Sequence, residues 1–307
     1  MNGSGSADVI GAEEFALLGA AFRKAMTAAS GHGLDLALTD LGWRDMLAEV
    51  PDLAVPLTFR LLGETGAHAP LLNDVVLVAS GREPGGTVPL PYAGGSWVTW
   101  ERDERLGQTL DGLPLRRITA PDGAFDAASG AASALDAAAR APAPTPALAA
   151  GRRAVGWWLL GTGRAMLALA RTHAVDRVQF GRPIASFQAV RHRLAETLVA
   201  LDGAEAVLTA AGQGGGADAG RGSDRDAADH ELRSLLAKAA AGQAALTAAR
   251  HCQQVLGGIG FTAEHALHIH VKRALVLDGL LGSTRELTRE AGRRLIADGA
   301  APRLIDL

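Results

Sequence analysis

Apolar residues recur at helical spacing over most of this chain. Phe15, Leu18, Phe22 and Met26 fall three and four apart, which places them on one face of a helix. A second helix is expected over 34–50, ending before Pro51, and a third after Pro56 with Leu57, Leu61 and Leu62 on its apolar side. From 81 to 115 the texture changes: Gly, Pro and β-prone pieces such as Ser96-Trp97-Val98-Thr99-Trp100 predict a few strands joined by tight turns. Residues 127–147, rich in Ala and Pro, read as a linker.

Beyond Pro146 the pattern is strongly helical. A long helix over 147–177 carries Val155, Leu159, Met166 and Leu169 and ends at Phe180-Gly181-Arg182-Pro183, where glycine and proline both oppose continuation. Ser186 is expected to cap the next helix, whose stripe is Phe187, Val190, Leu194, Leu198 and Leu201. A Gly-rich loop over 212–222 follows, then a helix from 226 to the stop at Leu256-Gly257-Gly258. Thr262 is expected to cap another helix, and Ser283-Thr284-Arg285-Glu286 is a capping-box pattern that opens the last. The expected fold is therefore mainly α. It comprises an N-terminal helical domain over 1–80, a small β segment with linker over 81–145, and an antiparallel four-helix bundle over 146–307.

Hydrophobic residues make up 48% of the 307 and charged residues 21%, enough to bury a core and to set aside a disordered or fibrous chain. Aromatics at 4% beside 38 glycines favour close helix-on-helix packing. The net charge of -3 leaves no basic surplus for phosphate contacts, so nucleic acid is not an expected partner. A single cysteine, Cys252, fits a reducing cytoplasm. Residues 1–7 lack the basic and apolar parts of a signal peptide, and the apolar tract 154–160 is far shorter than the ~20 residues of a membrane span. A cytoplasmic protein without membrane association is expected.

Familiar catalytic patterns are scarce: G-x-S-x-G, C-x-x-C, H-E-x-x-H and the P-loop are all missing. Gly161-Thr162-Gly163 lacks the third glycine of a dinucleotide fingerprint. On a helix His265 and His268 would share a face while His270 points elsewhere, with no nearby cysteine or second carboxylate, so no metal is expected. Two segments say more. In Arg177-Val178-Gln179-Phe180-Gly181-Arg182-Pro183-Ile184 and Ser186-Phe187-Gln188, a helix end, a turn and a helix start follow within a dozen residues. They offer a guanidinium, an amide and helix-start N–H groups, a set suited to a pyrophosphate. In Gln254-Val255-Leu256-Gly257-Gly258-Ile259-Gly260-Phe261, paired glycines let a ligand approach the backbone beside Gln254. The residues also allow a plainer account, with Arg177 serving a helix C-terminus and the glycines as helix caps.

These two segments, with Val190-Arg191-His192-Arg193-Leu194-Ala195-Glu196 after the first and Glu264-His265 and Arg273 after the second, closely resemble the acyl-CoA dehydrogenase family. Residues 34–78, with Leu41-Gly42-Trp43, resemble a shortened form of that family's N-terminal helical domain. The resemblance implies a flavoprotein fold in which FAD lies across a dimer of C-terminal bundles. It implies that Arg177, Gln179, Phe180, Gln188, Gln254, Gly257 and Gly258 hold the ADP half of FAD, with Thr284 beside the flavin. It also implies α,β-desaturation of an acyl-CoA thioester, in which a carboxylate removes the α-proton and the β-hydride passes to the flavin.

The sequence departs from the family where that carboxylate belongs. Gly282 stands at the position of the usual glutamate, and Gly151 at the alternative one near the start of the long helix. No catalytic residue is therefore expected in this chain, with Asp278 a weak substitute, and the flavin-ring segment of the β-domain is not recognisable. The resemblance is to the short, base-lacking subunit of heteromeric acyl-CoA dehydrogenases of steroid side-chain degradation. It implies a homologous full-length partner that supplies the glutamate, as in an α2β2 heterotetramer, and an acyl-CoA substrate such as a steroid side-chain ester. Open alternatives are a homomeric enzyme using Asp278, a flavin-binding module alone, and a redox-silent member of the fold serving as a scaffold.

Overall fold

The computed structural model describes residues 11–102, 113–119, 146–212 and 224–299. Five helices open it: α1 (Ala12–Ala28), α2 (His32–Asp40), α3 (Trp43–Glu49), α4 (Pro51–Thr65) and α5 (Leu71–Ala79). Phe22 and Met26 of α1 are buried, as their spacing predicts. The helix expected over 34–50 is two helices, because Gly42 takes a left-handed φ of 82° and turns the chain. The third begins at Pro51 rather than after Pro56. A proline in the first turn gives up only an N–H that lacks a helical partner there, and Pro56 is carried inside the helix.

The strands β1 (Pro89–Tyr92), β2 (Ser96–Trp100) and β3 (Leu115–Ile118) form one antiparallel sheet in that order, with Leu90 opposite Val98 and Val98 opposite Arg117. All but the last two residues of the expected linker over 127–147, and the Gly-rich stretch after Gly212, lie outside the described residues.

The C-terminal half runs α6 (Pro146–Asp176), a short hairpin of β4 (Val178–Gln179) and β5 (Arg182–Pro183), a 3-10 turn (Ile184–Ser186), α7 (Gln188–Gly212) and α8 (Asp224–Leu256). A second 3-10 turn (Gly257–Phe261), α9 (Leu267–Gly279) and α10 (Thr284–Asp298) complete it. Ser186 sits in the turn and donates to the Pro183 carbonyl (2.7 Å) instead of capping α7. Phe187, Val190 and Leu194 of the expected stripe are half-buried and Leu201 is buried. Leu198, however, is 42% exposed, and Thr197 takes its place on the buried face, which continues through Ala204, Leu208 and Ala211. Thr262 likewise caps nothing: its hydroxyl donates to the Ile259 carbonyl (3.0 Å), and His265 Nδ1 accepts from the Leu267 N–H (3.1 Å) at the start of α9. Ser283 and Glu286 do form the capping box that opens α10.

Glycines on α6 set how closely its neighbours approach. A Cβ on Gly156 would lie 2.6 Å from Leu208 and 3.7 Å from Lys238 Cα, and one on Gly163 would lie 2.5 Å from Leu201 and 3.7 Å from Ala245 Cα. Hence α6 runs antiparallel to α7 and parallel to α8. Where α4 crosses α6, a Cβ on Gly161 would stand 2.1 Å from the Arg60 carbonyl oxygen, a backbone contact that only glycine permits. The core is threaded by four fully buried rings. Trp43 meets Phe59 edge-on, Phe59 meets Trp158 edge-on, and Trp158 stacks on Trp100 at 5.3 Å, so the N-terminal helices, α6 and the sheet share one interior.

Candidate functional site

The parallel course of α6 and α8 brings the turn after residue 176 and the turn after residue 256 to one end of the bundle. The edge-on contact of His173 with His265 (6.4 Å) ties the two together. At the first turn the chain reverses in two residues: Phe180 and Gly181 take φ values of 55° and 79°, the left-handed pair that a tight hairpin demands. The hairpin closes as the Ile184 N–H donates to the Arg177 carbonyl (2.8 Å). Arg182 lies over the Phe187 ring (4.4 Å), which also meets Phe180 edge-on.

The predicted residues here face outward. Arg177, Gln179, Phe180, Gln188 and Gln254 are exposed, Phe180 at 92%. The Gln179 side-chain amide donates to its neighbour's carbonyl at Val178 (2.9 Å), with no other acceptor among the described residues. Gly257 is left-handed (φ 65°), and among the described residues neither it nor Gly258 has a neighbour within 4 Å of where a Cβ would sit, so the backbone there is open. Guanidinium, amides, an exposed ring and an open backbone are the donor set that the ADP half of a dinucleotide requires, and these residues fit it. The three histidines do not converge: His270 is buried, while His268 Nδ1 lies 3.0 Å from the His265 carbonyl oxygen.

The second locus is the corner between α9 and α10, and there almost every polar atom is taken. Lys238 is fully buried. Its ammonium donates to the carbonyls of Asp278 (2.7 Å) and Gly282, and burial pushes its pKa down to about 7. Arg152 donates to the Leu281 carbonyl (3.3 Å) and to Glu231 (3.2 Å). The end of β1 holds the corner from the other side, through the Leu281 N–H to the Pro91 carbonyl and the Ala93 N–H to the Gly279 carbonyl, both 2.8 Å. Thr284 donates to Asp278 Oδ1 from its hydroxyl (2.5 Å) and from its N–H (3.1 Å).

Gly151 and Gly282 are brought to this one corner. A Cβ on Gly151 would lie 2.7 Å from Leu281 Cδ1 and 3.2 Å from Val76, so apolar side chains fill the space in front of it. Gly282 has φ 101°, and a Cβ there would lie 2.8 Å from Leu287. Sequence reasoning missed Lys238 as part of this corner. The available signal was a lone charge amid Ala237, Ala239, Ala240 and Ala241, a run otherwise fit for burial. Cys252 is buried, and burial raises its thiol to about 12.

Residues 142–296 match the family described as acyl-CoA dehydrogenase, C-terminal domain. That is just over half of the 307 residues, and the chain belongs to the acyl-CoA dehydrogenase family. Acyl-CoA dehydrogenase IpdE2 of Mycobacterium tuberculosis is 38% identical over 130 residues, covering 42% of this chain and 36% of that protein. Two solved structures share the fold over nearly the whole chain. One, described as the Tcur3481-Tcur3483 steroid ACAD, is 20% identical with a TM-score of 0.61, covering 94% of this chain and 99% of that one. The other, the ChsE4-ChsE5 complex from Mycobacterium tuberculosis, is 20% identical with a TM-score of 0.60, covering 95% and 99%. The architecture expected from the resemblance, mainly α with a small sheet and a C-terminal bundle, is the one observed. Among the described residues no helix is long and apolar enough to cross a membrane.

Proposed function

We propose that this chain is one subunit of an FAD-dependent acyl-CoA dehydrogenase, lending the clamp for the ADP half of FAD while a homologous partner supplies the glutamate. One observation carries the reading. Both positions expected to hold a carboxylate are glycines; Leu281 and Val76 fill the space in front of Gly151 and Leu287 that in front of Gly282, whereas the proposed clamp side chains stand exposed at the other end. A half-site of that kind needs a second polypeptide to complete it.

In this reading Arg177 pairs with the pyrophosphate, the amides of Gln179, Gln188 and Gln254 orient the nucleotide beside Phe180, and Gly257 and Gly258 admit it to the backbone. Thr284, through Asp278, keeps the corner that faces the flavin in shape. Bound there, FAD supplies the hydride acceptor for α,β-desaturation of a thioester. The homomeric alternative is disfavoured because Asp278 Oδ1 already accepts twice from Thr284, at 2.5 and 3.1 Å. A steroid side-chain ester as substrate and an α2β2 assembly are the finer proposal. Its support is the fold shared with proteins described as a steroid ACAD and as a two-protein complex.

The test is co-expression with a longer homologue that retains the glutamate. The expected result is a co-purifying yellow complex, little flavin in either subunit alone, and about tenfold weaker flavin retention in the complex when Arg177→Ala is introduced. Unchanged retention in that variant would falsify the clamp assignment.

A further inference from the structure

Some 24 residues before Arg177, roughly 36 Å away at 1.5 Å per residue, α6 carries Arg153 in an unusual position. A groove of about 470 Å³ lies between the start of α4, the start of α6 and the end of α7. Its walls include Pro51, Val55, Trp157 and Leu208, and Arg153 reaches into it. The Arg153 side chain is only 18% exposed, yet its one ion pair among the described residues is with Asp52 at 3.8 Å, too long for a hydrogen bond.

Three other arginines of this protein hold carboxylates at hydrogen-bond distance. Arg60 holds Glu64 (2.8 Å) and Glu205 (3.0 Å), Arg164 holds Asp202 (2.6 Å) and Glu205 (2.5 Å), and Arg294 holds Glu290 (2.8 Å) and Glu231 (3.1 Å). Among the described residues no oxygen accepts a hydrogen bond from Arg153, although its guanidinium has five N–H donors in a fixed fork. Burial lowers its pKa, but a guanidinium remains a cation at any working pH. Burial and the charges of Arg153 and Arg233 lower the pKa of the neighbouring His230, and its Nδ1 is buried with no partner among the described residues. Asp52, the competing carboxylate, is 54% exposed and can turn to solvent.

We propose that this groove is a binding site for a small carboxylate with an apolar, ring-sized body: the acid group takes the fork of Arg153 and the body lies between Trp157, Val55 and Leu208. The volume falls within the range of small-molecule sites, and apolar walls around one placed cation select for that amphipathic shape. Arg153 lies at the opposite end of α6 from the proposed clamp, so the site stands independently of the flavin reading.

The probe is 1-naphthoate, titrated calorimetrically into the full chain and into its complex, with the neutral 1-naphthalenemethanol as control. Expected are saturable binding of the acid below about 1 mM and about tenfold weaker binding of the alcohol. Arg153→Met should weaken the acid by about the same factor, and Asp52→Asn should tighten it several-fold by removing the rival anion. Thr209→Trp, which narrows the groove from an exposed position without touching the charge, should also weaken it. Failure to saturate at about 1 mM, equal affinity in Arg153→Met, or equal affinity for the alcohol overturns the proposal.

Discussion

Phe180 and Leu281 are the non-glycine residues that adopt left-handed backbone among those described, with φ of 55° and 57°, and they occupy the two ends of the site. Phe180 is 92% exposed at the tip of a hairpin, surrounded by side chains that face outward. Leu281 is 1% exposed in a corner whose carbonyls are engaged by Lys238, Arg152 and the Ala93 N–H and whose Leu281 N–H is engaged by β1. The same backbone strain is therefore held in opposite ways. At the first locus a two-residue turn imposes it locally and keeps the surface open. At the second, three other elements impose it from outside and close the space in front of Gly151 and Gly282. One end leaves its side chains to solvent, and the other engages its backbone groups internally.

Breaking the closed end should cost the most. Lys238→Ala removes a buried stem and strands two carbonyls, a loss of about 3–5 kcal/mol in urea unfolding. A loss below about 1 kcal/mol would mean that the buried charge was never offset by those bonds. The next largest effect is electrostatic. Burial, with the Arg273 charge beside it, pushes His270 down to about 4, whereas an unfolded imidazole titrates near 6.5. Below pH 6.5 the unfolded chain takes up a proton that the native state refuses, so stability falls as pH drops toward 4, by roughly 3 kcal/mol for this ring. His68, also pushed down to about 4 by burial and the Arg273 charge, adds a like slope. Stability measured against pH should therefore fall more steeply than one ring gives, and His270→Phe should roughly halve the slope.

A third change tests whether the corner is closed or merely lacks a base. Gly282→Glu places a side chain at φ 101° and 2.8 Å from Leu287. It should cost about 2 kcal/mol and bring no acyl-CoA oxidation in the purified chain. Appearance of turnover would show that the corner can reopen. The smallest effect belongs to the open end, where Phe180→Gly relieves left-handed strain and should raise stability by at most about 1 kcal/mol. A loss of stability there would mean that the exposed ring contributes packing, through Phe187, beyond what its exposure suggests.

Some of this was readable from local sequence, because its causes are local. The periodicity of α1 and α6, the capping box at Ser283 and the glycine stop after Leu256 each depend on residues within a turn or two, and each appears where the sequence places it. The outward-facing residues around the hairpin, proposed as the clamp, were legible as a helix end, a turn and a helix start because these are written consecutively. Where local cues misled, a distant neighbour decided. Leu198 carries an apolar side chain on the wrong face of α7 because Leu201 and Leu208, seated against Gly163 and Gly156, set the helix rotation. Pro56 stayed inside α4 because tertiary packing against α6 outweighs one missing hydrogen bond.

The amino-acid order by itself determined which segments are helical, where most of them stop, and that two glycines replace the expected carboxylates. Only the tertiary structure decided that those two glycines, 131 positions apart, meet at one corner. It likewise decided that a lysine from a third helix pins that corner and that Leu281 fills it. Such contacts depend on the packing of whole helices at glycine-to-backbone distance, and the sequence near either glycine carries no record of what will be pressed against it.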